Sequence, residues 1–287
     1  MKTRELLLAL LVPLTWALGF TVAKAALDEF PPLLLMSMRF FIAGLILVWF
    51  VPIPRHCLKD LFWISLVGST VQYGLTFTGL SMIDASLGGI IVQLEVPFSV
   101  LLAVIIFRER PGLLRIIGMT VSFIGIALIA GKPSLSGQLE GILLTASGAL
   151  VWAIGQIMYK RISSQIDGLT GIAWIGVIAA PQMLIGSMIF ETGQVDALMN
   201  ASWVGWASVV YLGLIMTVVG YGIWFTVLAR NPVSHVMPVL LVLPVFTILF
   251  SVLLLGERPS LEVLLGGVTI LAGVSLIVFS KSNTRPT

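Results

Sequence analysis

Residues 16–24 read WALGFTVAK and residues 152–160 read WAIGQIMYK. Trp16, Ala17, Gly19 and Lys24 of the first stretch recur as Trp152, Ala153, Gly155 and Lys160 of the second, 136 positions later. Four matches in nine positions, all in register, exceed what chance supplies, so the chain carries an internal repeat. The repeat also disposes of a secretory leader. Lys2 and Arg4, the apolar run from Leu6 and the Ala23-Lys24-Ala25 triplet have the outline of a cleavable signal. Such a signal has no reason to recur in mid-chain, and both copies are read as retained helices.

Working outward, the composition is that of a membrane protein. Of 287 residues 58% are hydrophobic and 10% are charged, and mean hydropathy is +1.09, where a soluble domain carries about 25% charged residues. The hydrocarbon core is about 30 Å thick, so a spanning helix needs about 20 apolar residues. Runs such as Leu240–Leu255 and Leu264–Val278 are too long, and alternate too little, for barrel strands of about 10 residues. The single cysteine, Cys57, excludes an intramolecular disulfide. A net charge of +3 with scattered basic residues gives no support to nucleic-acid binding.

Polar and proline-containing breaks leave ten apolar stretches, near 6–26, 33–51, 60–80, 86–107, 112–131, 139–160, 168–190, 203–227, 233–255 and 261–280. With the N-terminus inside, the cytoplasmic ends hold twelve basic residues and the outer ends hold Lys24, Lys132 and Arg258. That asymmetry predicts cytoplasmic termini. Cys57 then belongs to the cytoplasmic side.

The echo extends beyond the opening motif. Tyr73-Gly74 maps onto Tyr221-Gly222 at a spacing of 148, as do Glu109-Arg110-Pro111 onto Glu257-Arg258-Pro259, Gly118 onto Gly266 and Gly125 onto Gly273. Pro97 maps onto Pro244 after a shift of one. The units are 1–132 and 133–287. Five spans per unit is an odd number, so the second enters from the opposite side. The expected fold is all-α and integral to the membrane: ten helices in two inverted five-helix repeats around a central cavity. This is a plan that transporters use, with substrate bound near the midplane.

WALGFTVAK, the MRF at 38–40, LEVPF at 94–98, the paired RERP and GERP, and VGYGIWFTVLAR at 219–230 together resemble the EamA-type drug/metabolite transporters. The resemblance spans essentially the whole chain and is nearest the bacterial O-acetylserine/cysteine and neutral or aromatic amino-acid exporters. It implies a non-enzymatic secondary transporter in the bacterial inner membrane, exporting small metabolites by alternating access. It further implies no cofactor, a small-molecule substrate, a lipid surround, protons as a possible coupling ion, and a monomer or homodimer.

The residues offer candidates for the site. Ser69, Gln72, Tyr73 and Thr76 share one helical face, and Thr217, Gly220, Tyr221 and Trp224 occupy the repeat-related positions. These faces either line a cavity or hydrogen-bond between helices. Trp16 and Trp152 precede Gly19 and Gly155 by one turn, and Gln156 shares the Trp152 face. Each indole either meets substrate or packs over a glycine notch. Pro97 and Pro244 would free the carbonyls of Gln93 and Leu240, making either a cavity-lining hinge or a tolerated kink.

Lys24, Arg39 and Glu95 are ionisable groups in or near the apolar zone. A charge at a helix centre costs about 2.5–3.5 kcal/mol on insertion scales, so such groups mark function by default. Glu95 is the most central, a candidate for carrying a proton, for meeting an ammonium group, or for tying helices together. Lys24 and Arg39 fall toward the outer ends, where they either snorkel to headgroups or receive a substrate carboxylate. The repeated Glu-Arg-Pro reads as turn and capping chemistry. His56 and His235 do not make a metal site.

Substrates of other classes remain open: nucleotide sugars, or organic cations and drugs. So does a non-transport scaffold or intramembrane enzyme. A nucleotide sugar wants several cavity cations, for which only Lys24 and Arg39 are at hand.

Overall fold

Helix boundaries fall where terminal chemistry is supplied. The structure is a computed structural model and describes residues 3–108, 112–130, 138–231 and 237–280. Glu109-Arg110-Pro111, Lys132 and His235 lie outside the described residues. Helix α1 is Thr3–Ala26. Helix α2 (Pro32–Leu47) begins on a proline, whose missing N–H belongs to a turn that has no intrahelical acceptor, and runs on through a 3-10 turn at Val48–Phe50. Helices α3 (Leu58–Ser65) and α4 (Gln72–Met82) are one continuous rod joined by a π-helical segment, Leu66–Val71. Next come α5 (Ala85–Ile91), a 3-10 turn at Val92–Leu94 and α6 (Glu95–Phe107). Helices α7 (Leu113–Ala130) and α8 (Leu139–Lys160) follow.

The second half holds α9 (Gly168–Phe190), the short α10 (Gln194–Asn200) and α11 (Trp203–Val210). A second π-helical segment, Tyr211–Val219, leads into α12 (Gly220–Arg230). A 3-10 turn at Met237–Val242 precedes α13 (Leu243–Leu255), and α14 (Leu261–Phe279) ends the described chain.

Among the described residues every regular element is helical, and eight helices are long and apolar enough to cross a bilayer. The protein is therefore a multi-pass membrane protein. Two of the ten expected stretches fall short of that measure for identifiable reasons. The 60–80 stretch is helical throughout, but Ser65, Ser69, Thr70, Gln72, Thr76 and Thr78 dilute its hydropathy. Of the 233–255 stretch only residues 237–255 are described, and they hold the apolar helix Val239–Leu255.

Caps explain several termini. Asp167 accepts from the Thr170 amide at 2.9 Å, and Ser202 and Ser260 cap α11 and α14 in the same way. Partial burial acts upward on the Asp167 carboxyl, but the bonds from the Thr170 hydroxyl and amide outweigh it and hold the group below its usual range. Helix α13 closes on Gly256 in the left-handed region (φ 68°), and α6 closes on Arg108 in the same region (φ 52°). Glycine adopts that conformation freely, whereas a side chain there costs about 1–2 kcal/mol.

Between helices, small residues set the distances. Where α7 crosses α14, a Cβ on Gly118 would lie 2.6 Å from the Gly273 carbonyl oxygen, and one on Gly125 3.0 Å from that of Gly266. Backbones meet this closely only where side chains are absent. Helix α2 packs on α9, α4 on α8, and α1 on α13 and α12. Outward-facing Phe41, Leu253 and Val268 are exposed, as a lipid surround requires.

One end of the molecule is stitched by carboxylates. Glu191 accepts from the Leu33 and Leu34 amides, Glu257 from Ala85 and Ser86, and Glu29 from the Ser202 amide and hydroxyl. Glu257 thus does the capping expected of its motif, but across helices rather than on its own. At the other end Trp174 donates to the Pro52 carbonyl, and Cys57 lies fully buried against Gln165.

Candidate substrate site

The rod of α4 and the rod of α12 each present a tyrosine toward α1 and α2. Arg39, on α2, joins them. It is 1% exposed, and its Nε donates to Thr217 Oγ1 at 2.9 Å. Thr217 in turn donates to the Leu212 carbonyl at 2.8 Å, five residues back, an acceptor offered by the π register. Segments of this kind recur at functional positions in helices. The guanidinium carbon lies 5.0 Å from the Tyr73 ring centroid and 5.4 Å from that of Phe40. Two desolvated cation–ring contacts at about 2 kcal/mol each, with one hydrogen bond from a charged donor at about 1.5–3 kcal/mol, are large enough to offset the insertion cost of about 2.5–3.5 kcal/mol.

The rings extend in both directions. Tyr73 meets Phe40 edge-on at 5.1 Å and stacks on Phe77 at 5.6 Å, and Phe77 stacks on Phe20 at 6.0 Å. On the other side Trp16 lies 4.9 Å from Tyr221 and 5.9 Å from Trp224. Tyr221 is within hydrogen-bonding reach of Tyr73 and within electrostatic reach of both Arg39 and Glu95. The indole Nε1 of Trp16 is buried without a hydrogen-bond partner. Trp16, Tyr73, Tyr221, Trp224, Arg39 and Glu95 thus form one neighbourhood contributed by α1, α2, α4, α6 and α12.

Other expected residues lie elsewhere. Gln72 Nε2 donates to Thr76 Oγ1 at 2.9 Å, and both side chains are buried where α4 packs on α8 against Gly148. They serve a helix seam. Trp152 is half-buried on α8, outside the Trp16 cluster, and Gln156 is exposed. Gln93 is buried in the 3-10 turn, and Glu95 is half-buried at the start of α6.

Two expectations need correction. Arg39 does not snorkel at an outer helix end. It sits seven residues into α2 with its guanidinium buried and turned to Thr217 and the Tyr73 and Phe40 rings. Lys24 neither snorkels nor stands open at a mouth. Its Nζ donates to the carbonyls of Leu80 and Ser81 at 3.0 and 2.9 Å, closing the end of α4. Beside it, partial burial pushes the Asp84 carboxyl up, the Glu257 charge adds to this, and Lys24 opposes it. The prolines fall at real breaks but not inside continuous helices. Pro97 and Pro244 occupy the first turns of α6 and α13, each directly after a 3-10 turn.

The residues that sequence reasoning missed are the partners. The Arg39–Thr217 bond and the rings of Phe20, Phe40 and Phe77 link positions far apart in the chain. Only the adjacency of Arg39 and Phe40 hinted at them. A lateral groove of about 250 Å³ runs along α1 and α12 past Leu8, Gly222 and Thr226. It contains none of the polar candidates and opens where lipid would stand.

The buried arginine and the rings around it bring a cation and aromatic faces together inside a multi-pass helical protein. The model of the EamA-like transporter family matches residues 3–131 and 139–279, and the chain belongs to that family and is a transporter rather than an enzyme. It is similar to a probable amino-acid metabolite efflux pump of Escherichia coli (strain K12), 31% identical over 97% of this chain and 96% of that one. The corresponding Salmonella typhimurium pump matches to the same extent. An uncharacterized transporter of Bacillus subtilis is 28% identical over 96% of this chain and 92% of its own length. A solved crystal structure superposes with a TM-score of 0.63 over 96% of each chain at 18% identity, a likeness of fold.

Proposed function

We propose that the protein is a secondary transporter of the bacterial inner membrane that exports amino acids or their close derivatives by alternating access. The observation that carries this reading is the Arg39–Tyr73–Tyr221–Trp16 cluster, which offers a cation and ring faces to a small zwitterion with an apolar side chain. The names of the Escherichia coli and Salmonella relatives support the same substrate class. A nucleotide sugar is disfavoured, because Lys24 is held by two carbonyls and Arg39 alone is left among the two cations expected for it.

The transport architecture is ten crossings in two inverted units, with both termini cytoplasmic. Packing supports it, because contacts recur in exchanged pairs. Under the spacings of 136 and 148, the Gly118–Gly273 approach becomes Gly266–Gly125, and the Gly19–Met216 approach becomes Gly155–Gly68. The α4–α8 seam likewise becomes α12–α1, and α1–α13 becomes α8–α6. Loops assigned to one side of the membrane are also the ones that touch, as with Glu257 and Ala85, or Glu191 and Leu33.

Counterflow into proteoliposomes of the purified protein tests the substrate class without knowledge of the driving force. Labelled cysteine, O-acetylserine, phenylalanine, threonine and a nucleotide sugar are offered in parallel. Saturable amino-acid exchange, lost in Tyr73→Ala and Tyr221→Ala, is the expected result. Exchange of the nucleotide sugar or of an organic cation alone would discard the substrate class.

A further inference from the structure

We propose that Arg39 is the carboxylate subsite of the transported molecule, a deepening that rests on the amino-acid reading above. The contrast with Lys24 carries the argument. Lys24 is a structural bolt, and its ammonium group has two backbone carbonyls as acceptors. Arg39 is buried far more deeply and has less. Its Nε is satisfied by Thr217 at 2.9 Å, whereas its Nη1 reaches the Met36 thioether at 3.8 Å, a weak acceptor. Among the described residues no carboxylate pairs with it. A guanidinium presents its donors as a planar fork that matches the two oxygens of a carboxylate, and this fork keeps its Nη edge available.

The fork is also held still. Ser37, two residues before it, donates to the Ala180 carbonyl at 2.8 Å. Gly44 packs so closely on α9 that a Cβ there would lie 2.6 Å from the Val177 nitrogen. These contacts fix α2 against α9, and Thr217 fixes the head group. Tyr73 covers one face of the guanidinium, and Tyr221 is a neighbour of both Tyr73 and Arg39. A carboxylate bound at the Nη edge therefore arrives beside two phenol hydroxyls. Glu95 is a further neighbour of Tyr221.

The test compares four molecules that share one ring: phenylalanine itself; phenylalaninol and phenethylamine, which both lack the carboxylate; and hydrocinnamate, which lacks the ammonium group. Half-saturating concentrations are measured by competition in counterflow, and binding to the detergent-purified protein is measured in parallel. The wild type is expected to prefer phenylalanine over phenylalaninol and phenethylamine at least tenfold, and to bind hydrocinnamate measurably. In Arg39→Gln the preference collapses to within threefold. Arg39→Lys, which keeps a cation but not the fork, loses at least threefold of it and is read alone where Arg39→Gln does not give a monodisperse protein. A wild type that exchanges phenylalanine, with the preference intact in Arg39→Lys, overturns the subsite and leaves the transport reading standing. A wild type that moves phenethylamine but neither carboxylate overturns both.

Discussion

Gly220→Ala and Gly222→Ala add the same methyl group two residues apart on one helix, and the structure gives them opposite consequences. A Cβ at Gly220 would lie 2.7 Å from Trp16 Nε1, 3.2 Å from Trp16 Cδ1 and 3.4 Å from Thr15 Oγ1. At Gly222 nothing lies within 4 Å. Ordinary contact is about 3.5 Å, so the indole must retreat by about 0.8 Å, and a gap of that size forfeits a quarter to a half of each contact it opens. Trp16 is paired with Tyr221 and Trp224. At about 0.5–1.5 kcal/mol per aromatic pair, losing up to half of each comes to about 1 kcal/mol, within the usual overpacking cost of about 1–3 kcal/mol. Both substitutions gain the same helix propensity, up to about 1 kcal/mol, which cancels in the difference. Gly220→Ala should therefore be about 1–2 kcal/mol less stable than Gly222→Ala. Its half-saturating concentration in counterflow should rise about fivefold for a loss of about 1 kcal/mol, while Gly222→Ala matches wild type. Thermal unfolding in detergent and counterflow read the two effects. Equal stability and equal transport in both variants would refute the placement of Trp16 over Gly220 and, with it, the aromatic half of the site.

Orientation is testable with cysteines. Native Cys57 is fully buried, so it cannot report by labelling; in a Cys57→Ala background, exposed Lys59→Cys should react with an impermeant maleimide only after the cells are opened, and exposed Thr192→Cys should react in intact cells. The reverse pattern overturns the cytoplasmic termini. Glu95 supplies the last prediction. If that carboxylate carries the coupling proton, Glu95→Gln flattens the pH dependence of net efflux, and an unchanged pH profile assigns the proton to another group.

What the sequence made legible was periodic and local. The matched nonapeptides, the Glu-Arg-Pro copies and the glycines at 118, 125, 266 and 273 led to the helices and to the seam where α7 meets α14. The site was legible by residue type and not by depth. Arg39, Tyr73, Tyr221, Trp16 and Glu95 all emerged as candidates. Yet Gln72 and Thr76, grouped with Tyr73 on one face, stand about 60–100° round α4 from it at 3.6 residues per turn, and they turn into the α8 seam. Hydropathy cannot register which edge of a polar face turns toward which neighbouring helix. Arg39 was placed near the surface by its distance from the nearest loop. What holds it at depth is Thr217, 178 residues away, and a periodicity has no term for so remote a partner.

The two π segments bear on the order in which this molecule acquired its parts. They end at Val71 and Val219, separated by the same 148 positions as the tyrosine-glycine pairs that follow them. Two independent accidents of register, one in each unit, would have no cause to stop at the same step. If the two stretches that match the family arose from one by duplication, the widened turn is older than the doubling. In this chain the turn holding Thr217 is the one that receives an arginine.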